Sequence, residues 1–461
     1  MKPGLAVSWR TIDDKTWEFK LRENVKFQDG TPLTADDVVF TFERALAMKG
    51  TSPVGRYVRN KTIAKVDDHT VHVSTKTPYP LVPAELATVP IISRKHGAGA
   101  TTEDYNSGKA AIGTGPYRFV EWKHGDRLVL AANIDYWGGK PQWDRVILKA
   151  VPSDPVRVAT LLSGDVDMID FTPTTALPRL RKEAGVTLSE VASNRVIFLI
   201  LDSNRDVSPY VLDHDGSKLW PNPLRQWKVR KAISKAINRQ AIVDRVMQGA
   251  AVPAGQLPPD FMIGHDPSLK PEPYDPDGAK RLLTEAGYPK GFRLTVHCPN
   301  DRYINDEKIC ETVAQMLTRV GIPTEVVTMP KAVYFSRSSR GDPWGNPEFS
   351  LIMFGAGSDT GDGLTPLINH LGTHSREASF GFSNRGRYSN VRVDKRLKKA
   401  QTLLDAAERT KLIQEGNGIA ARDVGNIPLH YQMNIWALRK GLTYKARTDE
   451  KTHAMGVAPV P

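Results

Sequence analysis

The sequence predicts an α/β protein built in more than one lobe. Its 461 residues are too many for one hydrophobic core and suit two or three lobes. Between residues 274 and 354 helical and strand patterns alternate, the order of a parallel sheet wrapped by helices. Near the start, WEFKLRENVKFQDGTPLTADDVVFTFERAL (17–46) reads as strand, tight turn and capped helix. There Trp17, Phe19 and Leu21 alternate with charged residues, and Asp29-Gly30 closes a turn. Thr34 is placed to cap the helix, Asp36 and Asp37 sit in its positive first turn, and Val38, Val39, Phe42, Ala45 and Leu46 form one apolar face.

The remaining elements follow in order. A hairpin is expected over 62–76, with Ile63, Val66, Val71 and Val73 as its apolar positions. Residues 77–110 are rich in Pro, Gly, Ala and Thr, with a short helical patch near 81–87. A second hairpin spans 117–132 and turns at His124-Gly125-Asp126. A short helix over 155–163 ends at Gly164, and VDMID follows as a strand. Val196–Leu201 is a continuous apolar run typical of a buried strand, and the polar, proline-rich 205–224 suits a surface loop. Helices are expected at about 228–247. In the alternating region Asp275 caps a helix over 277–286 with Pro276 in its first turn. A strand at 292–297, a helix at 306–320, a strand at 324–328, a helix near 331–338 and a strand at 349–354 complete it. Amphipathic helices over 392–406 and 408–422 precede two strands near 428–438.

With 40% apolar and 25% charged residues the chain is globular, and no run of about 18 apolar residues spans a membrane. The N-terminal MKPGLAVSWR has no apolar core and does not read as a signal peptide. A net charge of +12 raises nucleic acid as a partner, but basic residues are scattered. The densest patch, Lys395, Arg396, Lys398 and Lys399, reads as a solvated helix face, so no nucleic-acid partner is expected.

Catalytic patterns are missing. GAGSDTG (355–361) lacks the spacing of a nucleophile elbow, and HExxH, GxxxxGK[ST] and GxGxxG do not occur. No enzyme activity and no cofactor are expected. His297, Cys298 and Cys310 leave three readings open: a metal site, a disulfide or two ordinary thiols, although their spacing fits no zinc pattern. His370 and His374 are four apart, but Gly372 weakens a helix between them, so two exposed histidines are expected.

Several blocks carry a resemblance. GTGPYRFVEW (113–122), NIDYWGGKPQWDRV (133–146), VRVATLLSGDVDMID (156–170), WKVRKAISKAINRQAIV (227–243), YDPDGAKRLLTEAGYPKGFRLTV (274–296) and the tail 388–431 occur in order behind the opening segment. Together they resemble the extracellular solute-binding proteins of ABC importers, the family 5 group that carries dipeptides, oligopeptides and nickel. In GTGPY, Gly113 and Gly115 permit turns closed to other residues and Pro116 fixes the strand entry, a structural role.

The resemblance implies an α/β, two-lobed periplasmic binding protein fold of type II, with an extra inserted subdomain and lobes joined by crossing strands. Lobe I would be 1–200 plus 431–461, with the inserted subdomain at about 35–110, and lobe II 201–430. Val196–Leu201 and Pro428–Gln432 would cross between them. The implied function is a solute receptor that binds short peptides or peptide-like solutes between closing lobes. It would act as a monomer, periplasmic or otherwise extracytoplasmic and membrane-associated, and deliver its cargo to a permease in the inner membrane. Alternatives are a peptide-acting hydrolase or a receptor-like chaperone or regulator; alternative cargoes are an opine, an oligosaccharide or a metal chelate.

For a peptide ligand the family places an aspartate after the lobe II strand FSLIMF to meet the ammonium. Asp359 is the first candidate and Asp362 the second, with Ser358 beside them. An arginine after the 292–297 strand would meet the carboxylate, which selects Arg302 with Tyr303 next to it. The family usually has tryptophan where Ala356 stands, which implies a wider or differently shaped pocket. In the family a segment like 17–46 also follows a secretion signal and several dozen residues of lobe I. An exposed, incomplete sheet edge beside the GTGPY strand is therefore expected.

Overall fold

The computed structural model describes residues 1–48, 54–342, 346–375 and 380–460. Its central feature is an antiparallel pair of long strands, Val186–Leu201 and Ile427–Arg439, in register from Ile427↔Leu199 to Arg439↔Val186. The apolar run at 196–201 is buried on both faces. Ile197, Leu199 and Leu201 enter one core, while Val196, Phe198 and Ile200 enter a second. Two-sided burial is why this strand is apolar without alternation. The two strands expected near 428–438 are one continuous strand of 13 residues.

At this end of the pair, Leu351–Ala356 joins Val186–Leu201 antiparallel. Arg293–Pro299 runs parallel to Leu351–Ala356, and Thr324–Met329 parallel to Arg293–Pro299. The three strands of the βα alternation are thus parallel, whereas the sheet they join is mixed. Helices Trp227–Ala236, Pro276–Glu285 and Asp306–Thr318 cover one face through Ile233, Leu283, Ile309 and Leu317. Helices Leu364–Leu371, Val391–Thr402 and Ala406–Arg422 cover the other through Leu367, Leu397 and Ile413.

The opposite end of the strand pair carries Met168–Ile169 and a separate small core of Val158, Leu161, Leu180 and Ala437. Between the two ends the ladder is interrupted: Val196 pairs with Tyr431 and Ala192 with Met433, leaving Ser193, Asn194 and Arg195 opposite Gln432 alone. One pair of strands therefore runs from lobe to lobe with a bulge at the crossing.

A four-stranded sheet in the order Ala6–Thr11, Thr16–Leu21, Thr70–Thr75, Lys61–Asp67 forms a smaller unit under helix Ala35–Ala47. Phe19, Phe42, Val71 and Val73 fill its core. The opening strands share this sheet with the 61–75 hairpin, so the unit includes residues before 35. The Thr34 amide donates to the Asp37 carboxylate at 2.9 Å, which fixes the helix start. Tyr117–Lys123, Arg127–Ala132 and Arg145–Lys149 form a third sheet, in which Tyr117–Lys123 is an edge with Val120 and Trp122 exposed. The GTGPY glycines act otherwise than expected. Neither Gly113 nor Gly115 has positive φ or a crowded Cβ position. Their carbonyls are what matter: Gly113 accepts from the Gln28 amide at 3.0 Å, and Gly115 from Asn133 Nδ2 at 3.0 Å.

Cys298 and Cys310 form a buried disulfide that ties strand Arg293–Pro299 to helix Asp306–Thr318. His370 is not exposed: it lies inside the second core, its ring centroid 5.1 Å from Phe198 and 5.0 Å from Phe354. His297 stacks on Phe349 at 3.9 Å. Burial lowers the two pKa values to about 3 and about 4. An unfolded histidine titrates near 6.5, so the unfolded chain gains protons that the folded chain refuses as pH falls. Stability is therefore full above about pH 7 and declines as pH drops from ~6.5 towards ~4. Thermal melts over this range should show the decline, and His297→Phe with His370→Phe should make it shallower. An equally steep decline in the double variant would assign it to other groups.

Candidate functional site

The chain loops from strand Arg293–Pro299 to helix Asp306–Thr318 at the lobe crossing. Asp306, 4% exposed, organises this loop. Its carboxylate accepts the amides of Arg302 at 2.9 Å and Tyr303 at 3.0 Å, while Asn305 turns the chain at φ 56. Burial raises the pKa of Asp306 despite these bonds. Tyr303 then lies against Gly355, where a Cβ would come within 2.5 Å of its ring, and its hydroxyl donates to the Gly355 carbonyl at 3.4 Å. A side chain at 355 would displace it. The Arg302 guanidinium rests 5.1 Å from the Tyr303 ring centroid. Among the described residues no side chain forms an ion pair or hydrogen bond with that guanidinium.

Arg302 and Tyr303 bound a cavity of about 170 Å³. Its other walls are Asp170–Thr172, the crossing-strand residues Arg195 and Gln432–Trp436, and Glu450. Arg195 is already committed: its Nε and Nη2 reach Glu450 at 2.8 and 2.6 Å, and Ser193 Oγ donates to the same carboxylate at 2.9 Å. Burial acts to raise the Glu450 pKa, but these bonds hold it below the ordinary value. The unmatched cation of the cavity is Arg302. A hydrogen bond of 2.8 Å from Asn305 Nδ2 to Thr174 Oγ1 joins the two walls beside it.

The Gly-rich turn after Leu351–Ala356 is anchored to the crossing by Asn194, whose Nδ2 donates to the Ser358 carbonyl at 3.0 Å. Ser358, 5% exposed, pairs its hydroxyl with Thr360 at 2.9 Å. Asp359 points to the smaller unit, where Arg56 Nη2 and the Tyr57 hydroxyl each donate to it at 2.6 Å. Burial, and then the neighbouring Asp359 charge, push the Tyr57 pKa up to about 12. Asp359 is thus a contact across the cleft and does not bound the cavity. Asp362 faces inward. It is 1% exposed, forms a 2.6 Å ion pair with Arg409, and accepts the Leu364 amide at 2.8 Å where helix Leu364–Leu371 starts. Its expected ligand role is replaced by a structural one.

Of the five residues selected from sequence, Arg302 and Tyr303 meet at the cavity, Ser358 and Asp359 occupy a neighbouring turn, and Asp362 is internal. Asp170, Thr172, Arg195, Glu450, Arg56 and Tyr57 were not foreseen. Arg195 alone has a signal in the sequence, a cation directly before the apolar run 196–201. A larger cavity of about 290 Å³ lies inside the smaller unit, but its walls are apolar apart from Lys2 and offer no converging polar groups. Among the described residues no group of three His, Cys, Asp or Glu is placed to hold a metal ion, and no helix is long and apolar enough to cross a membrane.

Two lobes on shared crossing strands, with a polar cavity at the crossing, define a two-lobed periplasmic binding protein. The structure of HbpA2 from Haemophilus parasuis superposes with a TM-score of 0.83 and 26% identity, covering 100% of this chain and 91% of that one. The glutathione-binding protein GsiB of Escherichia coli (strain K12) is 31% identical over 96% of this chain and 83% of its own length. Heme-binding protein A of Haemophilus influenzae is 28% identical over 94% of this chain and 80% of its own. Residues 1–377 match the bacterial extracellular solute-binding proteins, family 5, and the chain belongs to that family. These proteins are solute receptors of ABC transporters rather than enzymes, and they are periplasmic or extracellular.

The two aspartates should separate in a stability measurement. Asp362→Ala strands a buried guanidinium and should cost roughly 3–5 kcal/mol in urea denaturation. Asp359→Ala removes a partly exposed pair and should cost less than about 1 kcal/mol. Equal costs would contradict the burial assigned to Asp362.

Proposed function

We propose that the protein binds a short peptide or peptide-like solute between its lobes and hands it to an ABC permease. The observation that carries this reading is the Arg302 guanidinium in the cavity at the lobe crossing, which forms no ion pair among the described residues. An exposed guanidinium on a cavity wall suits a carboxylate through paired charge-assisted hydrogen bonds. Tyr303 supports it as a flat, fixed platform.

Asp359 serves closure in this reading. Its contact with Arg56 and Tyr57 ties the turn to the smaller unit, and both charged partners are partly exposed, so the link is weak enough to open. Ser358 shapes the turn that presents it. The name of the relative GsiB supports peptide-like cargo, since glutathione is a tripeptide. The buried Cys298–Cys310 disulfide suits an oxidising compartment such as the periplasm.

Native mass spectrometry of the purified protein tests the proposal, because closed lobes retain cargo. Arg302→Ala should weaken binding of the retained solute at least about tenfold, or ~1.4 kcal/mol. Unchanged affinity would reject Arg302 as the anchor. If no small peptide or peptide-like solute raised the melting temperature, the receptor reading itself would fall, since a solute that binds only the folded state stabilises it.

A further inference from the structure

The wall facing Arg302 carries chemistry that the closure contact does not use. Strand Met168–Ile169 pairs with Leu438 and Ala437, and the chain then turns through Asp170, Phe171 and Thr172 into the cavity wall. Phe171 sits at φ 48 and is 63% exposed, a left-handed backbone that bulky residues rarely adopt. Arg157 holds this conformation by donating from Nη2 to the Phe171 carbonyl at 2.9 Å. The turn presents two polar groups. Asp170 uses Oδ2 to accept the Thr452 hydroxyl at 2.8 Å, and among the described residues no cation pairs with it. Thr172 is 4% exposed, and its buried hydroxyl has no hydrogen-bond partner among the described residues.

A buried hydroxyl without a partner carries a desolvation cost that a bound group removes. In the same cavity the Arg195–Glu450 pair is neutral as a unit, and Asp359 is occupied by Arg56 outside it. The unmatched charges left on the cavity walls are Arg302 on one lobe and Asp170 on the other. A cavity of about 170 Å³ is also smaller than the ~300–1,000 Å³ of drug-sized sites, and fits a compact solute.

We propose that the Asp170–Thr172 turn is the lobe I half of the binding site. The Asp170 carboxylate takes the ammonium of the solute, the Thr172 hydroxyl bonds a neighbouring polar atom, and Arg302 takes the carboxylate. The cargo is then a compact zwitterion of amino-acid to dipeptide size, bridging the lobes by its two charges. This rests on the solute-receptor reading and assigns its selectivity to Asp170 in place of Asp359.

The test uses the full chain with two probes: an equimolar mixture of natural dipeptides, and the same mixture N-acetylated. Retention is read by native mass spectrometry, and affinity by thermal-shift titration. The wild type should prefer the free-amino mixture at least about tenfold, or ~1.4 kcal/mol. Asp170→Asn preserves the acceptor for Thr452 and should abolish that preference; Thr172→Val, close in shape, should reduce free-amino binding to a smaller degree. Asp359→Asn should lower retention of both mixtures alike. Dipeptide retention by Asp170→Asn and Thr172→Val with the wild-type preference would overturn the assignment and leave the receptor reading intact. Loss of the preference in Asp359→Asn would overturn it in favour of that acid. A wild type that retains no dipeptide overturns the zwitterion assignment, whereas retention of a different solute would keep the receptor reading alive.

Discussion

The antiparallel pairing of Val186–Leu201 with Ile427–Arg439 is the constraint on which both lobes depend, because each lobe builds its core on one end of the same ladder. Toward 201 the strands are buried on both faces and cannot shift without exposing two cores. Toward 186 they hold Met168–Ile169 and the small core around Leu161 and Ala437. Pairing lapses in two places, at Leu429 between Pro428 and His430, and where Ser193, Asn194 and Arg195 stand opposite Gln432. A few residues released from a ladder are the places that absorb dihedral change when domains move about a hinge.

The same lapse builds the site. Side chains at the bulge are not needed for core packing, so they are polar: Ser193 and Arg195 hold Glu450, and Asn194 holds the turn that carries Asp359. The bulge, the cavity wall and the anchor of the Asp359 turn thus draw on three consecutive residues. The electrostatics follow one rule. Charges that shape the site are neutralised within the protein, as in Arg195–Glu450 and Asp362–Arg409, whereas among the described residues Arg302 forms no ion pair.

The two-sided apolar run 196–201 and the βα alternation were legible because burial on regular elements leaves a periodic trace. The family resemblance supplied Arg302, and the structure added what holds it: Asp306 below the loop and Gly355 beneath Tyr303. What could not be read depends on contacts between distant residues. Asp359 and Asp362 stand in one Gly-rich turn, and Arg409, 47 positions away, decides that the second is buried. Glu450 meets Arg195 across 255 positions and has no local pattern to mark it. Gly372 argues for a broken helix and an exposed His370, yet Leu364–Leu371 ends just before that glycine and turns the histidine into the aromatic core.

The claim at the centre is that the strand pair is a hinge whose closure is coupled to a solute anchored at Arg302. Small-angle X-ray scattering of the purified chain, titrated with the dipeptide mixture, measures this coupling directly. The radius of gyration should contract with saturation for the wild type, and the contraction should vanish or require at least about tenfold more solute in Arg302→Ala. A wild type that demonstrably holds solute at an unchanged radius, or an Arg302→Ala variant that contracts along the same titration curve, would contradict it.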